Sequence, residues 1–328
     1  MSGIPVLLNL ARPRREIDPV TIARQARAAG LSGLGFADSP RLFPDPLVET
    51  ARVLSAEPEV MAGPCVLSLP LVHPARAASA LSTLAGDFPG RVAAVVGRGE
   101  SSLANEGLRP PALREYAALL AALRSRLDET QTQLPLMGAA SGPRTIEVTA
   151  RELGGVLLDV GVHPSAVAAA AEHARAAHGE ARVWAFLRVV IAEDASGAAT
   201  AGASLLGSCA SRVVAAPDWY GVGADLAREV ADLAASHDYR RHGTSPAHRV
   251  EDTGGSPHVR AAQLVRDRFI LAATTEAVAL RLGELVTAGI SGVILAGGLP
   301  GVLTDLVELG LAARAVVRTG TPTREDSP

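Results

Sequence analysis

Unbroken apolar runs recur along nearly the whole chain, separated by longer stretches in which apolar positions return every three or four residues. The runs are IPVLLNL (4–10), LSGLGFA (31–37), VMAGPCVLSL (60–69), RVAAVVG (91–97), LPLMGA (134–139), GVLLDV (155–160), RVWAFLRVVI (182–191) and SGVILAG (291–297). Continuous apolar strands, in contrast to alternating ones, are what a parallel sheet covered on both faces requires. Between them the periodicity predicts helices over 18–29, 45–56, 75–86, 112–127, 143–153, 164–178, 218–236, 274–288 and 301–317. Five open on Asp18-Pro19, Asp45-Pro46, His73-Pro74, Gly142-Pro143 and His163-Pro164. Proline there suits the first turn, where its missing N–H costs nothing.

Eight strand–helix units predict an α/β fold, a (β/α)8 TIM barrel. A doubly wound open sheet gives the same pattern and stays as the alternative. AAGLSGLGFADS (28–39) and TAGISGVILAGG (287–298) are near-copies, and a recurring unit suits a closed, repeated architecture. Residues 211–268 break the rhythm and carry His237, His242, His248, His258 and EDTGGSP (251–257). Within them, 211–265 is expected to form an insertion before the last strand, folded over one end of the barrel as a lid. Residues 1–317 would then be a single domain, and 318–328 a disordered polar tail.

With 328 residues and 48% hydrophobic content, the chain can fill a large core. A net charge of −3 leaves no basic excess to neutralise phosphates, which argues against a nucleic-acid partner. No lysine occurs; all 31 basic residues are arginine, a codon signature of a GC-rich bacterial genome. Cys65 and Cys209 form no C-x-x-C pair and no disulfide framework, as in a reducing cytoplasm. The run 4–10 is too short for a signal-peptide core, and no stretch reaches ~18 uninterrupted apolar residues. A cytoplasmic protein without a membrane partner is expected.

Chemistry concentrates at two junctions. In VVGRGESSLANEG (95–107), Gly97 and Gly99 flank Arg98, and Glu100, Ser101 and Ser102 follow. Backbone N–H groups of a glycine-rich turn can point at an anion. The dinucleotide fingerprint needs a third glycine where Ser102 stands, so this is not a Rossmann loop. The loop follows strand 4, at the C-terminal mouth where barrel enzymes keep their chemistry; the glycines can equally be plain turn residues. At the second junction, Ser141, Gly142 and Pro143 stand where a strand ends and a helix starts. Exposed N–H groups and the helix dipole there stabilise an anion by ~0.3–1 kcal/mol each, up to ~2 kcal/mol when partly buried. An ordinary N-cap is the plainer reading. Asp38 can likewise simply brace the loop ahead of Pro40, and His73 can cap the helix it precedes. His237 and His242, five apart, fall on different helix faces, so no metal site is read there. Cys65 sits in an apolar strand as a small core residue.

Four stretches in order, AGLSGLGFADSP (29–40), LVHPARAASALSTLAGDFPGRVAAVVGRGESSLANEG (71–107), MGAASGPRTIEVTARELGGVLLD (137–159) and DRFILAATTEAVALRLGELVTAGISGVILAG (267–297), carry a family likeness. The chain resembles the luciferase-like flavin- and deazaflavin-dependent oxidoreductases, in the branch of methylenetetrahydromethanopterin reductase. The resemblance implies a luciferase-like TIM barrel in which Asp38 lines the cofactor and substrate cavity and Leu67-Ser68 approach the tricyclic ring. It further implies that Gly97, Gly99, Glu100, Ser101 and Ser102 close around the cofactor, and that Ala140, Ser141, Gly142 and Pro143 hold phosphate. Arg98 would contact a cofactor phosphate or pair with Glu100. The implied activity is hydride transfer from reduced coenzyme F420 to a C=C, C=N or C=O bond of a small molecule or modified metabolite. Asp38, His73 and Glu100 are the candidate proton donors. An FMN-dependent monooxygenase is the alternative within the same fold. A degenerate barrel without turnover is a third reading, motivated by a segment DETQTQ (128–133) shorter than the family's. Aromatic residues make up only 3% of the chain, so ring stacking would fall to Phe36, Phe43, Trp184 and Tyr239. The resemblance also implies a homodimer.

Overall fold

The structure is a computed structural model, and it describes residues 3–11, 18–193, 205–241, 258–297 and 303–317. The apolar runs become the strands β1 (Val6–Leu10), β2 (Gly33–Phe36), β3 (Met61–Ser68), β4 (Ala94–Gly97), β5 (Leu136–Ala140), β6 (Gly155–Leu158), β7 (Arg182–Ile191) and β9 (Val293–Ala296). These eight close into a parallel ring, with β9 pairing β1 on one side and β7 on the other. The TIM barrel is therefore the observed fold, and the open sheet is not. A further strand, β8 (Ile270–Ala273), lies outside the ring. The length of β7 makes room for it: Arg182–Ala185 pair with β6, Ala185–Arg188 with β9, and Arg188–Ile191 with β8.

Helices follow as the patterning predicts: α1 (Pro19–Ala29), α2 (Pro46–Ala56), α3 (Pro74–Asp87), a short α4 (Glu100–Asn105), α5 (Leu113–Glu129), α6 (Pro143–Leu153) and α7 (Pro164–Ala177). Their starts are fixed by local chemistry. Asp18 accepts from the Thr21 N–H at 3.1 Å, and Asp45 from Leu47 and Val48 at 2.8 and 3.1 Å, each ahead of a first-turn proline. Before β8 come α8 (Leu206–Ala215), α9 (Ala224–Ala235) and α10 (Val259–Phe269); after it come α11 (Thr275–Thr287) and α12 (Leu306–Ala313). The expected insertion thus begins by Leu206, and its described part is helical. His242, His248, EDTGGSP (251–257) and the tail 318–328 lie outside the described residues.

Strand residues divide between two cores. Outward ones such as Leu8, Leu34 and Val183 pack under the helices. Inward ones, Leu7, Cys65, Val95, Met137, Leu157, Trp184 and Ile294, fill the barrel interior. Trp184 packs so tightly on Gly292 that a Cβ there would lie 2.3 Å from its ring. Trp184 thereby fills the barrel interior near the strands' N-terminal ends. Helices α8 to α10 bury a separate apolar cluster of their own, including Leu206, Val213, Leu233, Val265 and Phe269.

Candidate active site

A cavity of about 560 Å³ opens at the C-terminal ends of the barrel strands, roofed by α8 and the segment after α9. That volume falls within the range of small-molecule and cofactor sites. Of the residues expected here, Asp38, Gly97–Ser102 and Ala140–Pro143 all line it. Three do not. His73 is exposed at the start of α3, where its Nδ1 accepts the Ala75 N–H at 3.3 Å. Leu67 turns outward into the apolar layer with Leu120 and Tyr116. Ser68 lies behind the wall, fully buried. Capping, not proton transfer, is what the structure shows for His73.

Asp38 is the hub of three converging loops. Its Oδ2 accepts the Ser68 N–H at 2.7 Å, and its own carbonyl accepts from Ser102 Oγ at 2.5 Å. Burial penalises the charged carboxylate, the Ser68 hydrogen bond offsets part of that, and the charge of Asp45 adds to it; the pKa is pushed up to about 6. Gly99 fits between these groups with φ of +74°, and a Cβ there would sit 2.0 Å from Ser68 Oγ. At Gly97 a Cβ would meet Val66 at 2.9 Å. Both glycines are therefore required by the protein's own packing. Arg98 hydrogen-bonds the Pro111 carbonyl at 2.7 Å, leaving its Nε buried without a partner. It does not pair with Glu100; Glu100 instead stands 3.8 Å from Arg212.

Across the cavity lies a charged cluster that the sequence reading missed. Asp159, just past β6, receives a two-pronged contact from Arg188 of β7 at 2.6 and 3.0 Å, and Arg212 Nε of α8 at 2.8 Å. Burial alone would raise the Asp159 pKa, but the two guanidinium charges outweigh it and hold the carboxyl well below the usual carboxylate range. The sequence signal was an arginine inside the otherwise apolar AFLRVVI, a position that a buried strand leaves charged only when a partner exists.

The α6 start presents its first backbone N–H groups beside the cavity. Gly142 takes the N-cap position, and no side chain caps the helix. Ser141 therefore is not the ordinary N-cap. Tyr220 OH donates to the Ser141 carbonyl at 2.6 Å, holding the segment after α8 against this turn. Of the four aromatics expected to stack on a ring, Phe43 and Tyr239 line the cavity. Phe36 faces the helix layer and Trp184 plugs the barrel interior, so neither can. Phe186, unforeseen, also lines it. The short segment 128–133 joins a helix to the next strand, which puts it at the opposite face of the barrel; it bears no part of the cavity wall.

A closed parallel barrel, with protonatable and charged groups gathered at its C-terminal mouth, defines the TIM-barrel class of fold. Residues 18–292 match the luciferase-like monooxygenases, and the chain belongs to that family. The structure is similar to coenzyme F420-dependent tetrahydromethanopterin reductase from Methanopyrus kandleri, at a TM-score of 0.69 and 15% identity over 96% of this chain and 99% of that one. It is similar also to an F420-dependent secondary alcohol dehydrogenase in complex with an F420–acetone adduct, at 0.67 and 16% over 96% and 99%. EDTA monooxygenase from Chelativorans sp. BNC1 superposes at 0.56, with 14% identity over 96% and 95%. At these identities the likeness establishes the shared fold. No curated protein sequence matches this chain. Among the described residues, no helix is long and apolar enough to cross a membrane.

Proposed function

We propose that this protein is a coenzyme F420-dependent reductase acting on an electrophilic C=C, C=N or C=O bond of a small molecule. The observation that carries the reading is Asp38: a cavity-lining carboxyl, fixed by the Ser68 N–H, whose pKa of about 6 keeps a proton available near neutral pH. A deazaflavin fits the donor set. The uncapped α6 start with Ser141 and Gly142, and the guanidinium of Arg98, would hold its anionic tail. Val66, Ala139, Leu157 and Phe186 provide apolar wall for a planar ring. A bound, reduced deazaflavin would supply a hydride. Asp38 would give the proton to the substrate atom that takes up the electron pair, and the Ser68 N–H holds the carboxyl in position for it. Two of the similar structures, at TM-scores of 0.69 and 0.67, are F420-dependent, which favours the deazaflavin over FMN.

Titration with F420 and with FMN, followed by fluorescence quenching, tests the cofactor. F420 is expected to bind tighter; FMN tighter by tenfold, ~1.4 kcal/mol, reverses the assignment. Asp38→Asn is expected to leave F420 affinity intact and to lower kcat by roughly 10²–10⁴. An Asp38→Asn enzyme with unchanged kcat removes Asp38 from the proton-donor role.

A further inference from the structure

We infer that the cavity carries an oxyanion subsite at Arg212, and that it binds a carboxylate on the substrate. The inference rests on the cavity being a substrate site. Two guanidinium groups, neither of which can give up its charge, face a single carboxylate in the Asp159 cluster. Asp159 is already spent on three donors: Arg188 Nη1 and Nη2, and Arg212 Nε. Arg188 is used up in that two-pronged contact, and its side chain is only 7% exposed. Arg212 is not used up. Its Nη1 reaches the Ser208 carbonyl at 3.3 Å and Ser211 Oγ at 2.7 Å, and among the described residues no acceptor meets its Nη2. Its side chain keeps 25% exposure, directed where Arg212 lines the cavity.

The remaining carboxylate nearby, Glu100, stands at 3.8 Å from Arg212 Nη1, beyond hydrogen-bond reach. Glu100 opens α4, with its side chain 47% exposed. Counting Glu100, two negative charges face two positive ones. The second carboxylate, however, is half-exposed and makes no hydrogen bond to Arg212, so water screens it, while Arg212 stands among apolar cavity walls such as Leu157, Phe186 and Leu205. Burying an ion away from water costs several kcal/mol unless another charge or a full set of hydrogen bonds offsets it. Asp159 and Arg188 hold the Arg212 stem in place, so its free edge is pre-positioned for an incoming oxyanion. A carboxylate conjugated to the reducible bond would anchor the substrate there and leave its uncharged part for the apolar wall.

Ligand-observed NMR titration of the cofactor-free protein with crotonate and with crotonamide tests this, with thermal unfolding as the check on folding. Crotonate is expected to bind with a Kd of order millimolar, and crotonamide at least about tenfold more weakly. Arg212→Gln is expected to abolish that preference. Arg212→Lys, which keeps the charge, should retain part of it. Because Arg212→Gln can disturb Asp159, Glu100→Gln supplies an independent reading: removing an exposed competing charge should tighten crotonate binding about two- to fivefold. Equal binding of acid and amide, or a Glu100→Gln protein that binds crotonate more weakly, overturns the inference. So does orthophosphate binding tighter than crotonate in an Arg212-dependent way, which marks the site as a cradle for cofactor phosphate. Since no cofactor is present, preference for crotonate supports the subsite whether or not F420 proves to be the cofactor.

Discussion

Asp38 shows how one side chain's environment sets both chemistry and stability. Its folded pKa of about 6 lies above the ordinary aspartate value of 3.8, so the folded state holds the proton more tightly than the unfolded chain does. Stability from that proton is fully present below the unfolded pKa and is lost as pH rises through about 6. Above about pH 6 the native state increasingly carries a buried carboxylate at a cost. Asparagine keeps an oxygen to accept the Ser68 N–H and never ionises. Asp38→Asn is expected to raise stability at pH 7.5 by on the order of 1–3 kcal/mol, and to make no difference near pH 4. Urea unfolding at the two pH values measures it. Equal effects at both would mean that the carboxyl is not held in its neutral form by burial. Among single residues, Asp38 and the glycines of 95–107 were legible because turn chemistry is local. Asp159, Arg188 and Arg212 were not, because they are 29 and 24 positions apart in sequence and meet only once β6, β7 and α8 are in place.

At the scale of elements, legibility follows the range of the forces that define each one. Helices starting at Asp18-Pro19 or Asp45-Pro46 carry their own caps, and they form where the pattern puts them. Helix α4 has six residues and no side-chain cap, and β8 has four residues continuous with the end of α10. What makes ILAA a strand is its pairing with Val189 and Val190 of β7, a contact across the fold that periodicity cannot show. The segment between α8 and α9 is likewise defined by where it lands. Tyr220 is buried, its ring packs on Phe269, and its hydroxyl donates to Ser141 at 2.6 Å. Tyr220→Phe keeps the ring and removes the donor. Loss of one such bond is expected to cost ~0.5–1.5 kcal/mol, read by urea unfolding, and to speed amide exchange in residues 217–222. If exchange there is unchanged, the hydroxyl is not what holds this segment to the α6 start.

For the whole molecule, the question is how α8 to α10 behave as a body against the barrel. Their interior is apolar and their own: Leu206, Val213, Val230, Leu233, Val265 and Phe269 pack on one another. Among the described residues, the ties from α8, α9 and the segments beside them to the barrel include Arg212 to Asp159 and Glu100, Tyr220 to Ser141, Trp219 packed against His173 of α7, and Asn105 Nδ2 of α4 to the Tyr239 carbonyl at 3.1 Å. A unit with a cohesive interior and a hydrogen-bonded boundary opens as one piece at less than the global cost. The described part of 211–265, expected as a lid, is helical and packs beside β7 and β8. Hydrogen exchange of the cofactor-free protein is expected to give α8 and α9 one shared opening free energy, below that of the strands β1 to β6. Asn105→Ala removes the tie to Tyr239 together with the bond from Nδ2 to Ser39 Oγ at 3.1 Å, and should lower that shared value by ~0.5–1.5 kcal/mol while the strand amides move less. Saturating cofactor at about 100 times its Kd should raise it by up to ~2.7 kcal/mol, if the open form does not bind. Cover amides that exchange only in step with the barrel strands, and that ignore both Asn105→Ala and cofactor, would make α8 and α9 a fixed wall of the cavity.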